Sequence, residues 1–306
     1  MTQSAINMRR AAQESQDGRH SRAAYLFLIP WLAGVLTITA VPMIASLYLS
    51  FTSYRLGGSP SWVGTENYQR MFTDSTFRDA ALVTAKYVFI SVPVQLVFAL
   101  AVAVILNKGV RALPIYRSVY YLPSLLGGSV AVAVLWRRLF ANDGLIPDLA
   151  SSIGIQMGSW VSDPDHALTT LMILNVWTFG SPMVIFLAGL RQIPMELLEA
   201  AAVDGASRAR RFVAVTIPLL SPVIFFNLVL QLIGSFQAFT PAYIVSSGTG
   251  GPANSTLFYT LYLFQTGFQS FEMGYASALA WLLFVVIGIF TAINFVAARY
   301  WVHYEN

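Results

Sequence analysis

Cysteine is absent from this 306-residue sequence, which excludes a disulfide scaffold, thiolate catalysis and iron–sulfur ligation. Charge is scarce as well. Asp, Glu, Lys and Arg make up 10% of the chain, against about a quarter in soluble domains, while hydrophobic residues reach 56%. A soluble chain of this length cannot cover its surface with 18 basic and 14 acidic residues, so the missing charge points to lipid as the solvent. Histidine occurs three times: His20 and His303 lie near the two ends, and His166 sits beside Asp163 and Asp165, where a solvated loop is a simpler reading of that trio than a metal site. No GxxxxGK[ST] element is present, because the glycine-rich run Gly248-Thr249-Gly250-Gly251-Pro252 lacks lysine, and no serine stands in a nucleophile elbow. If the chain moves a solute uphill, the energy source lies elsewhere.

What is abundant is apolar sequence in long runs. A bilayer core of about 30 Å takes roughly 20 helical residues, and six stretches of suitable length are free or nearly free of charge. They are residues 25–51, 80–106, 118–136, 168–190, 212–243 and 275–298. The pattern predicts an all-α protein of six membrane helices. Pro42, Pro93, Pro123 with Gly127 and Gly128, Pro182, Pro222 and Pro241 fall within these runs. Lipid tolerates such residues where neighbouring helices satisfy the freed carbonyls, so they mark either kinks beside a cavity or plain packing irregularities.

The net charge of +4 does not signal a nucleic-acid partner. All but Lys86 and Lys108 of the basic residues are arginine, and they cluster at the ends of the apolar runs. Alternate connections carry twelve basic residues on one side and five on the other, which predicts cytoplasmic N- and C-termini. The tail 1–22, with Arg9, Arg10, Arg19 and Arg22, is then cytoplasmic, as are 300–306, and 23–299 form the membrane domain. The first run is too long for a cleaved signal core and stays in place. Inside the spans Lys86 is the single ionisable side chain other than tyrosine, and it lies close enough to the outer boundary to snorkel. Ion-coupled transporters hold their ions with buried ionisable groups, and these spans lack them.

The largest cytoplasmic connection, residues 191–211, reads RQIPMELLEAAAVDGASRARR. Pro194 suits the start of a helix, Glu196 and Glu199 complement its dipole, and Asp204-Gly205 ends it in a pair tolerant of left-handed geometry. The spacing predicts a helix over 195–203 and a second from Ala206, with Met195, Leu198 and Ala202 sharing one face. A short helix across the mouth of a bundle either completes the bundle or docks into a groove on a partner.

The spacing Glu199-Ala200-Ala201, three residues, Gly205, nine residues, Val215, one residue, Ile217-Pro218 resembles the EAA signature of binding-protein-dependent ABC importers, with Val215 and Ile217 as conservative departures. Tyr25 to Pro30, Ser46 to Thr52, Val63-Gly64 with Asn67-Tyr68, Tyr121-Leu122-Pro123, Gly234-Ser235-Phe236-Gln237 and Phe268 to Ala278 extend the likeness to the MalF/UgpA-like carbohydrate permeases. The resemblance implies a type I importer (MetI-like) fold in the cell membrane of a bacterium or archaeon. It implies a second, MalG-like permease subunit, a cytoplasmic ATP-binding cassette ATPase dimer and an extracytoplasmic solute-binding protein as partners, and no cofactor. Glu199, Ala200, Ala201, Asp204 and Gly205 would couple to the ATPase. Thr178, Ser181, Phe236, Gln237 and Thr240 would face a sugar, or a related polyol such as glycerol phosphate. At each of the last five an interhelical hydrogen bond or a packed aromatic is the plain alternative. Arg55, Arg70 and Arg78 on the outer side would suit a phosphorylated ligand or lipid headgroups equally.

Overall fold

A computed structural model describes residues 27–109, 113–154 and 158–303. The predicted tail 1–22, the start of the first span, Arg111 and the last three residues lie outside the described residues. Among the described residues every regular element is helical. They are α1 (Phe27–Ser50), α2 (Glu66–Thr73), α3 (Ser75–Asn107), α4 (Leu113–Leu126), α5 (Val130–Leu139), α6 (Leu145–Ser152) and α7 (Ala167–Trp177). There follow α8 (Gly180–Gln192), α9 (Met195–Val203), α10 (208–236), α11 (Thr240–Val245), α12 (259–269) and α13 (Met273–Trp301). Five stretches are long and apolar enough to cross a membrane: α1, α3, α7 with α8, α10 with α11, and α13.

The third predicted span needs correction in shape. Residues 118–136 do not form one straight helix, because α4 and α5 meet at 95° across Gly127-Gly128. Ser129 is extended, and its hydroxyl accepts from the Val132 N–H at 3.3 Å, so α5 starts afresh in a new direction with its own cap. Hydropathy measures composition along the chain and carries no direction, which is why the run read as a single helix.

At the centre stands α3, packed against α7, α8, α10 and α12. Its buried residues recur every three or four positions, from Ala80 and Thr84 through Val88, Ser91 and Gln95 to Ala99, Ala103 and Leu106. The opposite face is apolar too: Phe89, Val94 and Val97 are about half exposed or more. A helix with small and polar residues inward and large apolar residues outward suits lipid, which gives no reason to turn leucine-like side chains away. Two widened helical turns, Val35–Ala40 and Phe212–Thr216, run up to Pro42 and Pro218, whose missing N–H and bulky rings disturb the regular ladder at those points.

One end of the bundle is tied by a clamp of polar side chains. Asn67 of α2 donates from Nδ2 to the carbonyls of Ser50 (2.8 Å) and Thr52 (2.9 Å), satisfying groups that the end of α1 leaves open. Asp74 caps α3 through Oδ1, which accepts from Thr76 and Phe77 N–H, and through Oδ2 it accepts from the hydroxyls of Tyr262 and Tyr275. Glu272 pairs with Arg55 at 2.6 Å and with Arg70 at 2.7 Å, and the Arg70 guanidinium also lies 4.1 Å from the centre of the Tyr275 ring. Gly274 makes this approach possible, since a Cβ there would stand 2.1 Å from the Thr52 carbonyl oxygen.

Candidate translocation cavity and coupling surface

Three helical breaks meet around a cavity of about 290 Å³. The α4–α5 break supplies Ser124, Gly127 and Gly128, the α7–α8 break Asn175 and Thr178, and the α10–α11 break Thr240, with Gln231 and Ser235 from the last turns of α10 and Tyr87 from α3. Each break leaves backbone groups without helical partners, and such groups are tolerated at membrane depth where they are buried in protein or line a cavity. The breaks also bring main chains close. A Cβ on Gly127 would stand 2.1 Å from Thr178 Cγ2, and one on Gly180 would stand 2.2 Å from the Tyr120 carbonyl oxygen and 2.7 Å from Tyr121 Cα.

One side of the cavity is stitched by its own hydrogen bonds. Gln95, buried in α3, donates from Nε2 to the Asn175 carbonyl at 2.8 Å and to Thr178 Oγ1 at 3.0 Å. Thr178 Oγ1 donates in turn to the Asn175 carbonyl at 2.7 Å, and the Asn175 amide reaches Ser91 Oγ at 3.1 Å. Ser124 Oγ donates to the Thr178 carbonyl at 2.8 Å and accepts from the Ser181 N–H at 2.8 Å. The end of α7, the start of α8 and the last turn of α4 are thereby fixed to one another. Sequence reasoning missed Ser91 and Gln95 because it searched the spans for charge; two polar residues one turn apart inside an apolar run were the available signal.

The five predicted sugar-facing residues do not all converge. Thr178 and Thr240 line the cavity. The Ser181 side chain opens onto a separate groove with Arg117, Ser118 and Tyr121, and Gln237 onto an apolar groove along α13. Phe236 is buried, stacked on Phe290 and edge-on to Phe89. Asn227, a further polar residue of α10, donates to the Val223 carbonyl of its own helix. Arg55 and Arg70 are engaged by Glu272, so a phosphate there would have to displace a carboxylate. His166 binds Asp163 Oδ2 at 2.5 Å and stacks on Trp160, and among the described residues no three His or acidic side chains converge as a metal site.

At the other end lies the hairpin of residues 191–211. α9 spans Met195–Val203 and has no buried residue. It closes with Gly205 at φ +79°, where the Gly205 N–H meets the Ala202 carbonyl (3.1 Å) and the Ala206 N–H meets the Ala201 carbonyl (3.0 Å). This paired pattern requires a left-handed residue, which glycine adopts without a Cβ clash. The second helix starts at Arg208, with Ser207 as its cap, two residues later than predicted. Arg211 donates to the Leu198 carbonyl at 3.3 Å and ties the two helices. Leu198 and Ala201 are half-buried, whereas Met195 and Val203 are 67% and 89% exposed, so the face predicted from Met195, Leu198 and Ala202 is not the one turned inward. Glu199 is exposed and, among the described residues, makes no ion pair.

Residues 72–300 match the family described as binding-protein-dependent transport system inner membrane component. The chain belongs to that family. This inner-membrane component is 53% identical over 286 residues to the probable ABC transporter permease protein YesP of Bacillus subtilis, covering 93% of each chain. It is 32% identical over 280 residues to the lactose transport system permease protein LacF of Rhizobium radiobacter, covering 90% of this chain and 93% of that one. To the trehalose/maltose transport system permease protein MalF of Thermococcus litoralis it is 29% identical over 285 residues, 92% of this chain and 95% of that one. Its fold matches the membrane chain of a bacterial alginate ABC transporter crystallised with an alginate pentasaccharide-bound periplasmic protein, with a TM-score of 0.80 at 20% identity, over 93% of this chain and 96% of that chain. The carbohydrate-permease resemblance and the type I importer fold are borne out, and the inner-membrane component is a transport subunit.

Proposed function

We propose that this inner-membrane component forms half of the path through an ATP-driven importer of a sugar or oligosaccharide, beside a second, MalG-like membrane subunit. A cytoplasmic ATPase dimer drives it through α9, and an extracytoplasmic solute-binding protein delivers the sugar, with both termini of this chain in the cytoplasm. The observation that carries the reading is the 191–211 hairpin, whose shape is held by its own hydrogen bonds while its apolar residues Met195 and Val203 and the carboxylate of Glu199 stay uncovered. Glu199 would meet a basic residue of the ATPase. Ala200 and Ala201 would permit close backbone approach, and Asp204 with Gly205 would make the turn. A shielded charge-assisted bond contributes about 1.5 to 3 kcal/mol, enough to shift an inward/outward equilibrium by an order of magnitude or more.

The sugar passes the cavity at Thr240, and Thr178 holds the cavity wall in place. Ser181 and Gln237 join the same path only where the second membrane subunit bridges their grooves. The absence of charge among the cavity-lining residues supports a neutral sugar over glycerol phosphate. The test is co-purification of the co-expressed ATPase on affinity-tagged permease complexes. Wild type should retain the ATPase, whereas Glu199→Ala or Gly205→Val should lose most of it with the membrane subunits intact; equal retention would remove the coupling role.

A further inference from the structure

The polar groups around the cavity fall into two sets. Ser124, Asn175 and Thr178 are already committed, each donating to or accepting from a neighbouring helix at 2.8–3.1 Å. Tyr87, Gln231, Ser235 and Thr240 line the same space, yet among the described residues none of their side chains makes a hydrogen bond. Tyr87 is the informative member. Only 4% of it is exposed, and its ring centre lies 4.5 Å from that of Phe258, so the ring is held in place by packing. Its hydroxyl keeps accessible surface, since among the described residues the sealed polar atoms without partners are Arg117 Nε, Arg211 Nε and Ser255 Oγ, and the surface Tyr87 lines is that of the cavity.

A hydroxyl that faces a polar cavity and is not committed to a neighbouring helix is available to whatever enters. With the Gln231 amide on the same cavity, the two side chains supply the mixed donors and acceptors that match hydroxyls of a sugar ring, and a rigid aromatic ring fixes one of them in advance. Resting on the reading that this cavity carries sugar, we infer that Tyr87, with Gln231 and Thr240, is the sugar-binding wall. Ser124, Asn175 and Thr178 position the cavity and do not bind through their side chains. The sugar unit held there is uncharged, since no charged side chain lines that wall.

Because a binding protein sets the apparent affinity of uptake, the site is read on the purified membrane subunits with their ATPase and without that protein. Equilibrium dialysis with radiolabelled lactose, maltose and an arabino-oligosaccharide gives Kd for the sugar that binds. Tyr87→Phe keeps the packed ring and should raise Kd about three- to tenfold, the loss of one neutral hydrogen bond, with an unchanged melting temperature. Gln231→Leu should act likewise. Thr178→Val should lower the melting temperature and leave Kd near wild type. If Gln231→Leu weakens binding and Tyr87→Phe does not, the role of Tyr87 is overturned while the cavity reading stands. If Thr178→Val weakens binding without loss of stability, the division into two walls is overturned. Unchanged Kd in all three variants would sink the cavity as the sugar site as well.

Discussion

The two ends of this molecule handle their few charges in opposite ways. At the clamp end Asn67, Asp74 and Glu272 each satisfy two or more partners within the chain, joining α1, α2, α3, α12 and α13. At the end that carries the proposed coupling hairpin Glu199 stands exposed among apolar neighbours, and α9 has no buried residue. The difference fits the proposed division into scaffold and contact surface: where side chains complete one another the chain is holding itself, and where a well-formed helix leaves its charge and apolar surface bare a partner would have a place to dock.

Four substitutions test that contrast. The largest effect is expected at Gly180, a scaffold position at the crossing of α4 and α8. A side chain there meets main-chain atoms of Tyr120 and Tyr121, which cannot swing aside, so Gly180→Val should cost about 3 kcal/mol or more and abolish monodisperse protein in size-exclusion chromatography. A folded Gly180→Val variant with wild-type melting would show that the broken helices are not fixed to each other. Glu199→Ala at the contact end should do the reverse, lowering uptake tenfold or more while shifting stability by less than about 0.5 kcal/mol. Thermal melting beside transport in proteoliposomes separates the two.

Glu272→Gln removes both ion pairs of the clamp. Because Arg55 and Arg70 are 70% and 48% exposed, the expected loss is about 1 kcal/mol and should shrink in high salt. The smallest effect concerns pH. Burial pushes the Asp74 carboxyl up, but hydrogen bonds from Tyr262, Tyr275 and the N–H groups of Phe77 and Thr76 outweigh it and hold the group below its usual range. A depressed carboxyl contributes its full stabilisation above the ordinary aspartate value of about 3.9, and that contribution is lost as pH falls through the lower folded value. Melting temperatures at pH 6 and pH 3 should therefore differ more in wild type than in Asp74→Asn, and equal differences would remove Asp74 from the clamp.

Much of this was legible in the sequence, and the limits have physical causes. Run length and missing charge gave the spans, because helix is the backbone form that satisfies a single segment in lipid. The hairpin of 191–211 was readable because its signals are local: Pro194 at the start, Asp204-Gly205 at the end. The cavity was only partly readable. Gln237 and Thr240 are three residues apart and share a face of any unbroken helix, yet α10 ends at Phe236 and α11 begins at Thr240, so the intervening break sends them to different surfaces. Tyr87 and Gln95 carry no charge and no motif. Their importance comes from the helices they meet, Phe258 in one case and the end of α7 in the other, and those contacts are separated by about 80 residues or more along the chain.

On this reading the subunit is a passive gate, and the energy for transport comes from other subunits. The decisive measurement is radiolabelled lactose or maltose accumulation in proteoliposomes that hold either this chain alone or the complete importer with ATP enclosed and binding protein outside. Uphill accumulation is expected from the complete importer, none from the chain alone, and a tenth or less of the wild-type level when Glu199→Ala replaces the wild-type subunit. Accumulation against a gradient by the isolated chain would contradict this reading.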